Sequence, residues 1–275
     1  LEALKRCVNL RGGLSTLDFE LQRIVAWGSY YVESALELPP SFPYPTFQNS
    51  KPFPLALLDD CSIHAWRTVK KLPKNSPFMY DIVLRLHQIG LSSTSEWRAE
   101  VDKQSVSNLY FEAQHRLLIM QSEQPWLASD AATPLAPENV LLYKAFTMAA
   151  QLFLWASMRH AQFCDDRSNL SISTGSGGLL FGRIKAALEI EGGYSSWARG
   201  KCLETVAWIL FVCVESCPSV SPDWVWFLGE LRRVLSSVRI RRIEEFRKVM
   251  QTFPSTDTFR DAEDKVWRAM AVLDQ

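Results

Sequence analysis

The stretch LDFELQRIVAWGSYYVESALEL, Leu17–Leu38, carries the reading of the fold. Its apolar residues return every three or four positions, the period of a helix with one buried stripe, and never alternate as a half-buried strand would. Leu17, Leu21, Ile24, Val25, Tyr31 and Ala35 fall near one face. Ser15 is the expected cap, and Pro39-Pro40 end the helix because proline lacks the N–H that the next turn needs. Upstream, Leu4 to Leu10 reads as the last turns of another helix. Gly12-Gly13 stops it, since glycine enters the left-handed conformation at little cost.

The same period extends through most of the chain. Beyond a proline-rich surface segment from Phe42 to Leu57, helices are expected at about 59–71, 78–90, 96–122 after Ser95, and 138–163 after Pro137. Further ones follow at 179–190, 201–217, 222–236, 241–253 and 258–273. The fold class is therefore all-α, an irregular bundle or solenoid of about nine or ten antiparallel helices. No repeat of fixed period accompanies it. The chain reads as one domain over 1–275, with sub-halves 1–164 and 179–275 joined by the polar, glycine-rich run DDRSNLSISTGSGG at 165–178.

Composition narrows the function classes. With 275 residues, 47% of them hydrophobic, ten tryptophans and fifteen phenylalanines, the chain can bury a large core without disulfides or a structural metal. Thirty basic residues balance thirty acidic ones, which argues against wholesale nucleic-acid binding. Six scattered cysteines read as reduced, buried thiols and an intracellular location. The longest unbroken apolar run, Val206–Val214, is fenced by Glu204 and Glu215. No transmembrane helix and no membrane partner are expected from it.

Catalytic and metal signatures are weak. Gly177 to Ile184 has phosphate-loop glycine spacing, yet Arg183 stands where lysine is required and Ile184 where a magnesium-binding hydroxyl is required. Gly175-Ser176-Gly177 lacks the strand-turn-helix context of a nucleophile elbow. His160/Cys164 and Cys213/Cys217 are pairs one helical turn apart and could supply four zinc ligands, but cysteines in such apolar helices read better as small buried hydrophobes. Cys61 and His64 are a weaker pair. Asp59-Asp60 and Asp165-Asp166 raise an all-helical enzyme of the isoprenoid-processing type, which needs carboxylates on one helix face to hold magnesium. The fifth positions are Ile63 and Asn169, so capping and solvation fit better. His87 and His115 read as structural. No catalytic residue and no cofactor is expected.

Two constellations remain. Seven basic residues between Arg232 and Lys248 meet only Glu244 and Glu245, and Arg239, Arg241 and Arg242 form a candidate basic patch. Trp208, Trp224, Trp226, Phe227 and Trp267 form a candidate apolar pocket, with core packing as the plainer explanation.

Val8, Asn9, Leu10, Arg11, Gly12, Gly13 and Leu14, followed by Leu17, Ile24, Trp27, Ala35 and Pro40-Ser41-Phe42-Pro43, resemble the helix junction and exit of the fungal-specific transcription factor domain. Trp208 to Phe211, Trp224, Trp226-Phe227, Leu231, Ile243 to Phe246 and Phe253 to Trp267 are similar to that family's last helices. Tyr31 stands where the family often carries an aspartate. The resemblance implies a non-enzymatic, effector-responsive or protein-interaction domain of a nuclear transcription regulator. Coregulator proteins, a second copy of the chain or a small-molecule effector would be its partners. DNA binding and zinc are implied only for an upstream cysteine cluster, since no Cys-x2-Cys-x6-Cys pattern occurs here. A dimerisation scaffold is the non-catalytic alternative.

Overall fold

A computed structural model describes residues 1–127, 135–160 and 176–272. These residues form twelve α-helices and four short 3-10 turns, with no strand among them. The helices are α1 (Glu2–Leu10), α2 (Phe19–Leu36), α3 (Leu55–Val69), α4 (Tyr80–Ser92), α5 (Lys103–Glu123), α6 (Pro137–His160), α7 (Ser176–Leu188), α8 (Gly193–Arg199), α9 (Leu203–Ser216), α10 (Pro222–Ser237), α11 (Ile243–Met250) and α12 (Asp257–Val272).

The all-helical expectation holds, but the described residues carry twelve helices where nine or ten were expected, and several boundaries move for identifiable reasons. Asp18, not Ser15, caps α2: its carboxylate accepts from the Leu21 N–H at 2.9 Å. Asp102 caps α5 in the same way through Ser105, so the 96–101 stretch is a set of turns and not the first turns of a helix. Helix α3 starts four residues before Asp59, after Pro54, which leaves Asp59 and Asp60 exposed in its second turn and away from its positive end. The short helix α8 was not expected.

Helices α6 and α9 lie at the centre. Along α9 every residue is buried except Glu204 and Glu215, as an all-round apolar sequence requires. It packs against α6, α8, α10 and α12, while α6 packs against α4, α5, α7, α8 and α9. Trp208 of α9 stacks on Phe253 at 5.8 Å, meets Phe146 at 5.1 Å and donates its indole N–H to the Pro254 carbonyl at 3.1 Å. Buried residues from before and after the 161–175 stretch belong to one contiguous core.

Helix α6 also amends the sequence reading on membranes. Pro137–Met158 is long and apolar enough to cross a bilayer by length and composition. A scan for unbroken apolar runs misses it, because Lys144 and scattered polar residues interrupt the stretch. In the fold 83% of its most apolar window is buried inside protein.

Around this core, α2 and the 39–50 segment are fastened by polar side chains. Arg23, only 7% exposed, lies over the rings of Phe47 and Phe111 at 4.5 and 4.1 Å. It donates to the Pro45 carbonyl at 2.9 Å and to Ser107. Glu33 accepts the Ser41 N–H at 2.9 Å, Tyr30 donates to the Phe42 carbonyl at 2.9 Å, and Asn108 bridges both backbone groups of Phe47. Prolines 39, 40, 43 and 45 withhold backbone donors from this segment, and these side chains supply its order instead.

Candidate docking groove

Helix α10 begins with Pro222 in its first turn and the Ser221 hydroxyl accepting from the Asp223 N–H at 3.1 Å. Its other end is a Schellman motif. The Arg239 N–H returns to the Ser236 carbonyl at 3.1 Å and the Ile240 N–H to the Leu235 carbonyl at 2.9 Å, with Arg239 left-handed at φ 61°. Ile240 and Leu235 are the pair that this motif characteristically brings into apolar contact. Five residues beyond Ile240, Glu245 folds back to accept from the Arg241 and Arg242 N–H groups at 2.9 and 3.2 Å, which starts α11. Those bonds and the Arg242 guanidinium hold the Glu245 carboxyl below its ordinary range.

Helix α12 packs against α9, α10 and α11. On α11, Phe246 is fully buried and stacks on Trp267 at 5.7 Å, fixing one face of the indole. Arg247 spans from α11 to Asp264 and lies 4.0 Å from Glu263 on α12. Glu263 is 3% exposed, and desolvation pushes its carboxyl up to about 7 although Arg247 and Arg260 pull it down.

Between α10, its C-terminal turn and α12 opens a groove of about 410 Å³. Arg232, Leu235 and Ser236 line it from α10, Ile240 and Arg241 from the turn, and Trp267, Met270 and Ala271 from α12. Each helix contributes an i, i+3, i+4 triplet, the spacing that sets side chains along one helical face. The lining mixes polar and apolar surface in nearly equal parts: Arg232, Ile240 and Trp267 are half-buried, Leu235 and Met270 are buried, and Ser236, Arg241 and Ala271 are exposed. Arg241 and Arg239 are exposed and make no ion pair among the described residues, whereas Arg242 pairs with Glu245 and Arg233 with Glu230.

The structure thus joins one member of the sequence-predicted pocket, Trp267, to one member of the predicted patch, Arg241. The other aromatic residues go elsewhere. Trp208 and Phe227 are buried in the core, and Trp224 is half-buried against it. Trp226 lines a separate depression of about 400 Å³, where Tyr194 donates to Glu230 at 2.8 Å, Arg233 covers the Tyr194 ring at 3.9 Å, and Lys185 lies 5.0 Å from the indole. That depression is lined by its own network, in which Arg233 pairs with Glu230. The five aromatics therefore do not share one cavity among the described residues: periodicity places each on an apolar face without saying which faces meet. Leu235, Ile240 and Met270 were not singled out by sequence, although the matching triplets 232/235/236 and 267/270/271 were there to be read.

The remaining sequence candidates are placed as follows. Gly177 to Ile184 forms the opening turns of α7 and no loop; there Arg183 donates to the Ala35 carbonyl at 2.7 Å and pairs with Glu37 at 3.3 Å, clamping the end of α2. Cys213 and Cys217 are buried, and desolvation raises both thiols. Cys7 is exposed, contrary to the all-buried expectation. The His160 side chain, Cys164, Asp165, Asp166 and Gly175 lie outside the described residues. His87 is buried, bonded through Nε2 to Thr68 Oγ1 at 2.8 Å, and burial lowers its pKa to about 3, so the ring is neutral. His115 sits edge-on to Tyr30 and Tyr44. Among the described residues no cluster of three His, Cys, Asp or Glu side chains could hold a metal.

Comparison with known proteins adds no relative: no family model matches the chain, no curated protein matches it, and no solved structure matches it.

Proposed function

We propose that this chain is a non-catalytic interaction domain of a transcription regulator, an irregular helical bundle that works in the nucleus by docking a coregulator at the groove between α10 and α12. The observation that carries the reading is the groove itself, which the half-buried Trp267 and Ile240 and the almost fully buried Leu235 and Met270 line together with Arg232 and Arg241. Such an amphipathic concavity is built for binding. The family resemblance of the opening and closing helices supplies the regulatory context, with DNA contact assigned to an upstream module.

The test fuses residues 1–275 to a heterologous DNA-binding module ahead of a reporter gene in a fungal host. Reporter output should change, and Arg241→Glu combined with Trp267→Phe should return it toward the level of the module alone. Output identical with and without the segment would overturn the reading, as would tight sequence-specific binding of duplex DNA by the segment itself.

A further inference from the structure

We propose that the groove between α10 and α12 receives an acidic amphipathic helix, whose bulky apolar side chains fill the space over Trp267 while its carboxylates meet Arg241 and Arg239. This rests on the docking reading above and names the chemistry of the partner. Charge selects the sign. Arg232 and Arg241 line the groove, Arg239 lies in the turn between them, and Arg268 is exposed beside Trp267. Complementary charge at such a rim steers association and rejects basic competitors.

Shape selects the helix. The walls are two helical faces, each presenting residues at i, i+3 and i+4, which is the geometry of a helix laid in a groove. A peptide that docked by strand addition would need a sheet edge, and no strand exists among the described residues. A helix satisfies its own backbone and brings only side chains to the groove. The Ser236 hydroxyl is the neutral polar side chain in the lining, so apolar contact and charge must supply most of the selectivity.

Arg239 gives the surface a separate signature. It occupies the left-handed C′ position of the Schellman motif, where glycine would be less strained. Arg239→Gly should therefore raise the thermal midpoint while weakening the partner's binding. A residue serving only the turn would change stability alone.

The experiment measures fluorescence anisotropy of three labelled synthetic peptides against the full 275-residue chain. One is a Leu/Glu amphipathic helix, the second has Lys for Glu at every position, and the third keeps the composition with its apolar spacing scrambled. The acidic helix should bind, more weakly as salt rises, and at least about tenfold more tightly than either control. Arg241→Glu, an exposed change that leaves the core untouched, should cost about tenfold, and Arg239→Gly about threefold. Trp267→Phe keeps the stack on Phe246 and should still weaken binding.

Equal affinity for the Leu/Glu and Leu/Lys helices, indifference to Arg241→Glu, or saturation by a fatty acid with no peptide bound would overturn the proposal. Reporter output that depends on the groove without binding of the acidic helix sinks the partner chemistry and leaves the docking reading standing. Peptide binding with a silent reporter does the reverse.

Discussion

The centre of the molecule and its N-terminal arm are held by different forces. Around α6 and α9 the contacts are apolar and aromatic, with Trp208, Phe146, Phe153, Phe253 and Phe259 packed ring to ring. In α2 and the 39–50 segment the fasteners are a buried cation, a buried carboxylate and an asparagine, each bound to backbone atoms of a proline-rich loop. Removing the partner of a buried charge leaves it uncompensated at high cost, whereas apolar contacts are individually small and collectively large. The arm adds these few polar ties to two small apolar clusters, one of Val8, Leu14, Val25 and Phe42 and one of Ala26, Tyr30, Phe111 and Leu118, while the centre distributes its stability over many apolar contacts.

The largest expected effect tests the centre. Trp208→Ala removes a stacked indole and leaves the Pro254 carbonyl without its donor, and should destabilise the fold by about 3–5 kcal/mol in urea titration. A smaller loss than that of any arm variant would break the comparison. Next comes pH. Below about 4.5, the ordinary value for glutamate, Glu263 is protonated in both folded and unfolded chains; as pH rises through about 7 the buried carboxyl must ionise in the fold. Its contribution to stability is therefore full at low pH and lost on the way up, by about 1–3 kcal/mol. Thermal midpoints of Glu263→Gln should lie above the wild type at pH 8, and the gap should close toward pH 5; a gap that widens toward pH 5 contradicts this.

Arg23→Ala should cost about 2 kcal/mol, the scale of lost charged hydrogen bonds and cation–π contact. Its damage should be local, seen as faster proteolysis of residues 39–50 with the core protected in hydrogen exchange. Uniform loss of protection would show that arm and centre unfold together. The smallest effects have opposite signs at two ends built alike. Gly12 at φ 91° and Arg239 at φ 61° occupy the same position of the same motif. Gly12→Ala should lose about 1 kcal/mol, aggravated by Thr16 Cγ2 at 3.1 Å from the new Cβ, and Arg239→Gly should gain about 0.5–1 kcal/mol.

How far the sequence could be read follows from the same contrast. The period of Leu17–Leu38 correctly announced a helix, and Val25 and Ala35 are buried as expected, but Ile24 is 66% exposed while Arg23 and Glu33 are inside. A hydrophobic pattern cannot show a polar side chain that turns inward to bind a loop. At α3 and α5 the helices start where Pro54 and Asp102 put them, and counting apolar residues does not locate such caps. The groove was half legible. Trp267 and Arg241 stood out as types, yet their meeting depends on the turn at Arg239, and nothing in the residue itself announces a left-handed arginine.

Helix α6 carries one more consequence, for the order in which the chain is made. Its most extensive neighbours, α7 and α9, lie C-terminal to it, so on the ribosome it emerges before the surfaces that cover it. Until they are synthesised, only α4 and α5 can cover a segment apolar enough for a bilayer, and its remaining faces are a natural client for holdase chaperones and a hazard for aggregation. Expression of a fragment cut within 161–175 should reproduce that exposed state permanently, which makes the undivided 275-residue chain the right object for biochemical work.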